Sequence, residues 1–364
     1  MPLETQTSTG RVGMYADLII DWCIRVQPGW QVLVNTSPLA RPLVEALARR
    51  LARKGAYYLG RIGFTTASFG WLQEASMELA STVSELEKRV AMEADAFITI
   101  SAPENTREGS EIPPDKQFAS QKAMQPVMER VVNMEVAWLA CVFPVPALAQ
   151  DAGMSLSAYE DFVYGACLLD WKTEGERMKK YADRLNDTKE LRIVGEGTDI
   201  MLSLEGREAV IDDGRVNMPG GEFFYGPRED ATEGVVTFSE FPVPRAGRDL
   251  KGVRLEFKGG RIVDASAETE EQMLIEALDI DEGARVLGEL GIGCNPGIDR
   301  FMRNVLFDEK IQGTVHLAPG RSIPSTGGIN HSSLHWDMVK DLRNGGKIYC
   351  DGELVQENGN WLVS

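Results

Sequence analysis

Through its first 142 residues the chain separates short, apolar runs by stretches with a helical rhythm. Val32-Leu33-Val34, Tyr57-Tyr58-Leu59, Ala96-Phe97-Ile98-Thr99-Ile100 and the run from Val136 to Val142 each read as strands. Between the first two, Leu39, Leu43, Leu47 and Leu51 recur every four residues, and Gly55 stands where a helix would close. Thr82 and Glu85 have the spacing of a capping box ahead of Leu86, Val90 and Ala94, and another helix is expected over 120–132. Apolar strands alternating with helices predict a doubly wound, mostly parallel sheet. No G-x-G-x-x-G follows the first strand, so no dinucleotide fingerprint is present. Residues 102–117, rich in Pro, Gly and charge, are expected to form an exposed loop beyond a strand's carboxyl end.

After a helical stretch over about 156–186 the rhythm changes. Runs near 191–194, 199–204, 209–211, 235–238 and 253–257 alternate with glycine turns, and the end of the chain repeats the pattern. Asp213-Gly214, Gly259-Gly260 and Asp351-Gly352 read as hairpin turns. Two helices are expected, Glu268 to Leu278 and Asp299 to Leu306. A chain of 364 residues exceeds one typical core. The expectation is therefore an α/β domain over 1–186, followed by an α+β domain rich in antiparallel strands over 187–364, with the later domain binding metal.

Composition narrows the partners. A net charge of −17, with no lysine/arginine stripe to offset it, argues against nucleic acid. No apolar run is long enough to span a bilayer, and Met1 to Arg11 lacks the apolar core of a secretion signal. No membrane partner and a cytoplasmic location are the expectation. Five scattered cysteines with no C-x-x-C pair read as free, buried thiols. Cys294, inside the glycine-rich run Gly291 to Gly297, is the one candidate for more.

The chain's only three histidines, His316, His331 and His335, fall within twenty residues. Imidazole is the commonest protein ligand of zinc, copper, iron and nickel. If 335–339 is a strand, His335 and Asp337 leave one face while Trp336 and Met338 leave the other. In a helix the first two would diverge by about 200°. Turns between His316 and His335 would let a hairpin bring their rings together, whereas His331, in Gly327-Gly328-Ile329-Asn330-His331-Ser332, reads as a loop residue. Glu222 follows the tight Met218-Pro219-Gly220-Gly221, and Glu289 is a lone charge in Leu287-Gly288-Glu289-Leu290-Gly291-Ile292-Gly293. A carboxylate buried there is costly unless a cation compensates it.

These pieces carry a family resemblance. Asn217 to Glu222, Leu287 to Gly293, Phe307-Asp308-Glu309, His316-Leu317-Ala318-Pro319-Gly320 and His335-Trp336-Asp337 resemble, in order, motifs of the aminopeptidase T and aminopeptidase S family of dinuclear metallo-aminopeptidases. The first half, with Gln27 to Val34 and Lys54-Gly55-Ala56, is similar to that family's α/β domain. The resemblance implies a cytoplasmic, dimeric hydrolase that releases N-terminal residues from small peptides. It implies two divalent ions (zinc, cobalt or manganese), held by Glu222, Glu289, Glu309, His316, His335 and Asp337. Glu289 would be the bridging and catalytic carboxylate. The chain departs from the family in two ways. Ile323 stands where the family has a tyrosine, and Glu309 lies seven residues before His316, a longer spacing than in the best-known members. Two alternatives use the same residues. His316, His335 and Asp337 also compose the facial triad of a mononuclear non-haem Fe(II) ring-cleaving dioxygenase, and a non-catalytic relative could simply retain the metal.

Overall fold

The computed structural model describes residues 8–132, 135–245 and 247–362. The chain divides into two compact units. The first takes the residues up to Leu168 together with Gly214–Pro219, and the second takes Leu169–Asp213 and everything from Gly220 on.

The first unit is built on a parallel sheet. Its strands are β1 (Gln31–Thr36), β2 (Tyr57–Ile62), β3 (Ala96–Ser101) and β4 (Ala137–Val142), in the order β2-β1-β3-β4, with the two-residue strand Asn217–Met218 beside β4. Val32, Leu33 and Val34 of the central β1 are buried, as a strand covered on both faces requires. Helix Arg41–Lys54 ends at Gly55, whose N–H meets the carbonyls of Leu51 and Ala52. β2 differs from the others: it is a sheet edge, exposed along its whole length.

Three local expectations are corrected here. Ser84, not Thr82, caps helix Glu85–Glu93: its Oγ accepts the Glu87 N–H at 3.2 Å, while the Thr82 hydroxyl turns back to the carbonyls of Glu78 and Leu79. The loop expected at 102–117 holds a short 3-10 turn, Glu108–Glu111, and the start of helix Pro114–Ala123, whose first residue is a proline already set for helix. A separate helix, Gln125–Val132, follows. The stretch over 156–186 is two helices, Leu156–Cys167 and Trp171–Leu185, the second capped by the Asp170 side chain accepting the Thr173 N–H. No described helix is long and apolar enough to cross a membrane.

The second unit holds two larger antiparallel sheets. One has eight strands in the spatial order 261–266, 253–258, 233–238, 198–202, 191–195, 347–350, 353–357 and 360–361. Gly259-Gly260 and Asp351-Gly352 close two-residue hairpins in it, as the sequence predicts. Asp213-Gly214 does not: the strands on either side, Val210–Asp212 and Asn217–Met218, belong to different sheets. The helix expected at 299–306 shrinks to Val305–Asp308. The Asp308 carboxylate takes the N–H groups of Met302 and Asn304, which pins residues 302–304 in an irregular path.

The other sheet carries the site. Its strands are β5 (Val210–Asp212), β6 (Glu222–Tyr225), β7 (Leu287–Gly293), β8 (Thr314–Pro319) and β9 (Met338–Asp341), in the order β9-β8-β7-β6-β5. Every residue of β7 and β8 is buried. Phe223, Tyr225, Leu290, Ile292, Val315, Leu317 and Met338 enter the unit's core, so by alternation Glu222, Glu289, Gly291, Gly293 and His316 face the other way.

Candidate metal centre

Register brings distant residues together. Asp212 lies opposite Glu222, Glu222 opposite Gly293, and His316 opposite Gly291. The ladder slips by one residue between Leu287 and Glu289, a bulge that re-aims the strand beside Glu289. Gly291 is needed for packing: a Cβ there would lie 1.9 Å from the His316 ring. The space a side chain would fill is taken by the imidazole.

His316 sits at the middle of the cluster. Its Nε2 is 3.0 Å from Glu289 Oε1, 3.7 Å from Glu222 Oε2 and 3.9 Å from Asp337 Oδ1. His335 Nε2 is 3.5 Å from the same Asp337 oxygen and 3.7 Å from Glu289 Oε2. Ligand atoms of Glu289, His316 and Asp337 all lie within 4.8 Å of one another. Only part of 335–339 is a strand: His335 forms an isolated bridge with Gly320, and β9 begins at Met338. The same-side placement of His335 and Asp337 nevertheless holds, because Trp336 enters the core and its Nε1 donates to the Pro244 carbonyl. Each ring is oriented from behind. His316 Nδ1 is 3.2 Å from the Glu309 carbonyl, and His335 Nδ1 is 2.8 Å from the Arg321 carbonyl. A carbonyl only accepts, so each Nδ1 carries a proton and each Nε2 is left to face the carboxylates.

A second cluster adjoins the first. Lys310 is fully buried, and its Nζ contacts Glu309 Oε1, lies 3.0 Å from Glu222 Oε1 and 3.9 Å from Asp212 Oδ2. Glu309 thus turns its carboxylate to Lys310 and its carbonyl to His316. Neither Lys310 nor Asp212 stands out in the sequence. Glu309-Lys310 looks like an ordinary surface pair, and Asp212 merges into the supposed turn at Asp213-Gly214.

Burial and charge set the protonation. Burial opposes charge on both histidines, but the carboxylates outweigh it: Glu289, Glu222 and Asp337 lift His316 to about 10, and Asp337 and Glu289 lift His335 to about 9. Burial would raise Asp337, yet the two imidazoles and Lys310 hold it well below the usual carboxylate range. Burial lifts Glu222 to about 8 against the pull of Lys310, and raises Glu309 as well. Burial also disfavours charge on Lys310, but the surrounding carboxylates raise it above its ordinary value.

The donor set suits a divalent cation. Glu222 Oε2 and Glu289 Oε2 are sealed from solvent with no hydrogen-bond partner, and both face imidazole nitrogens. Lone pairs left in that state are costly, and a cation would satisfy them. Imidazole nitrogens with carboxylate oxygens match zinc, cobalt, manganese or iron. Elsewhere, His331 is an exposed loop residue. Ile323 leads into the turn Pro324–Thr326 and brings no hydroxyl. Cys294 is buried, its thiol pushed up to about 12 by that burial; its backbone N–H bonds Gly221 and its carbonyl accepts from Arg177, so it is a packing residue.

Known proteins share this architecture. Residues 9–361 match the family described as thermophilic metalloprotease (M29). Aminopeptidase 2 of Geobacillus stearothermophilus is 26% identical over 407 residues, covering 95% of this chain and 96% of that one. Among solved structures, wild-type AmpT from Thermus thermophilus has the same fold, with a TM-score of 0.85 at 24% identity over 97% of this chain and 99% of that chain. A 2,5-dihydroxypyridine dioxygenase from Pseudomonas putida KT2440 is a more distant likeness of fold, with a TM-score of 0.64 at 14% identity over 98% of this chain and 99% of that chain.

Proposed function

We propose how the site works in this chain, which belongs to the thermophilic metalloprotease (M29) family and is a metal-dependent aminopeptidase acting on peptides. The observation that carries the proposal is the convergence of ligand atoms of Glu289, His316 and Asp337 within 4.8 Å of one another, the first two buried on one sheet face and the third just ahead of β9. Glu289, His316, His335 and Asp337 would hold a divalent ion. Bound there, such an ion would polarise the scissile carbonyl and acidify a water. Glu289 is the residue to hold that water and take its proton, since its Oε2 has no hydrogen-bond partner and can accept one. Ile323, where the resembled family has a tyrosine, offers no hydroxyl to the reaction.

Several finer points belong to the same proposal. The substrates are small peptides. Two ions, zinc, cobalt or manganese, would draw on all six residues that the sequence resemblance implies, but the carboxylates for the second, Glu222 and Glu309, are engaged by Lys310. A homodimer is supported by the apolar side chains the first unit leaves exposed, including Tyr57, Trp71, Leu79 and Phe118. A cytoplasmic setting suits five cysteines that are all free and buried. The dioxygenase reading would use the same His316, His335 and Asp337 and has a likeness of fold at 14% identity behind it, whereas the matched family and relatives are peptidases.

The test is Glu289→Gln, assayed on aminoacyl amides and dipeptides after loading with zinc, cobalt or manganese. Hydrolysis should vanish while the circular dichroism spectrum is unchanged. Undiminished turnover would remove Glu289 from the mechanism. One iron per chain, with ring cleavage and no peptide hydrolysis, would replace the proposal with the oxygenase.

A further inference from the structure

We infer that Lys310 is a built-in cation standing where a second divalent ion would stand, so that this chain works with one metal ion per site. The inference rests on the metallo-aminopeptidase reading and narrows it.

Glu222 supplies the main argument. Its Oε1 lies 3.0 Å from Lys310 Nζ and its Oε2 lies 3.7 Å from His316 Nε2. One carboxylate therefore spans two places, with an oxygen turned to each. This is how a carboxylate bridges a pair of ions roughly 3.5–4 Å apart. Here one of the two places is already held by an ammonium group.

The sheet explains why a fixed charge is needed there. Asp212 and Glu222 are directly opposed on the β5–β6 ladder, both buried, and like charges in that position repel. Glu309 adds a third acid, in contact with the same Nζ. Lys310 gives Glu222 and Glu309 a cationic partner whether or not metal is bound.

The lysine is also held in place by its backbone. The Lys310 N–H donates to the Phe307 carbonyl, and the Lys310 carbonyl accepts the Asn295 N–H at 3.0 Å. The next residue lies flush against β7, since a Cβ on Gly293 would come within 2.1 Å of the Ile311 carbonyl oxygen. An ammonium group so anchored repels a divalent ion and occupies the lone pairs of Glu222 and Glu309 that the ion would need. The donors turned away from Lys310, Glu222 Oε2 with Glu289, His316, His335 and Asp337, are enough for one ion.

The experiment is metal stoichiometry on the full chain. Wild type, Lys310→Ala and Lys310→Met are loaded with Mn2+, dialysed, and measured by elemental analysis and electron paramagnetic resonance. Wild type should hold one Mn2+ per chain with the spectrum of isolated ions. At least one Lys310 variant should hold two, with the spectrum of a spin-coupled pair. Two tightly bound, coupled ions in wild type overturn the inference, and that result needs no variant to fold. One ion in every folded variant also overturns it, because the freed carboxylates would then not form a cation site. Peptide hydrolysis on the same samples keeps the two readings apart. Two ions with turnover sinks the inference alone, and one ion without turnover sinks the peptidase reading alone.

Discussion

Gly291→Ala adds one methyl group at the point where the site has no room for it. A Cβ there would lie 1.9 Å from His316 Cε1 and 2.1 Å from Nε2. Non-bonded carbons rest about 3.5–4.0 Å apart, so the ring must retreat by roughly 1.5–2 Å. It has nowhere to go, because His316 is buried in a strand that is buried throughout. Retreat breaks the 3.0 Å hydrogen bond to Glu289 and lengthens the contacts to Glu222 and Asp337. Overpacking costs about 1–3 kcal/mol and the lost charge-assisted hydrogen bond about 1.5–3 kcal/mol, so the variant should lose roughly 2.5–6 kcal/mol. Moving the ligand should weaken metal binding by about 10–100-fold or more. Urea unfolding followed by circular dichroism reads the first quantity, and competition with a chromogenic chelator for Zn2+ reads the second. Gly165→Ala is the control: it lies in helix Leu156–Cys167 with nothing within 4 Å of the new methyl, and should be neutral or stabilising by up to about 1 kcal/mol. If Gly291→Ala unfolds within about 0.5 kcal/mol of wild type and binds Zn2+ as tightly, the packing argument fails.

Without a bound ion, His316 and His335 are raised to about 10 and about 9, above an unfolded value of about 6.5. Their contribution to stability is therefore complete below about pH 6.5 and lost as pH climbs through 9 to 10. A metal needs both Nε2 atoms deprotonated, so loading near neutral pH should release about two protons, with affinity rising across the same window. Calorimetry in buffers of different ionisation enthalpy measures the release, and identical heats in all of them would contradict it. Lys310→Met should cost about 3–5 kcal/mol by stranding Glu222 and Glu309. Burial already raises Glu222 to about 8, so the folded variant takes up protons that the unfolded chain does not. Its stability should fall as pH rises from 5 to 8, and a deficit independent of pH would argue against stranded carboxylates. His335→Ala should lower Zn2+ affinity at least tenfold while His331→Ala, in an exposed loop, leaves it unchanged; the reverse order would show the ligands to be misassigned.

What could be read from the sequence follows from the range of each signal. β1, β3 and β4 were legible because a strand buried on both faces must be apolar at consecutive positions. The shared side of His335 and Asp337 was legible because two residues in extended chain point the same way. Lys310 was not, since a lysine beside a glutamate carries no mark of burial. Asp212 was hidden by its neighbours Asp213 and Gly214, which have the composition of a turn. Its partnership with Glu222 depends on the β5–β6 register, and the role of Gly291 on the register of β7 with β8. Neither register leaves a local trace. The helix breaks at Met124 and at 168–170 were missed because helical rhythm runs on through them, and the structure ends the second by a cap at Asp170.

The return of Gly214–Pro219 to the first unit bears on how the chain is made and how it can be divided. A nascent chain that has emerged only as far as Leu168 still lacks Asn217–Met218, and β4 waits with its outer hydrogen-bonding edge unsatisfied. Completion of the first body therefore has to await part of the second. For the same reason no single cut separates the two. A fragment stopping at Leu168 would expose a raw border beside the buried Cys141, and a fragment starting at Leu169 would carry off a strand that belongs to its neighbour.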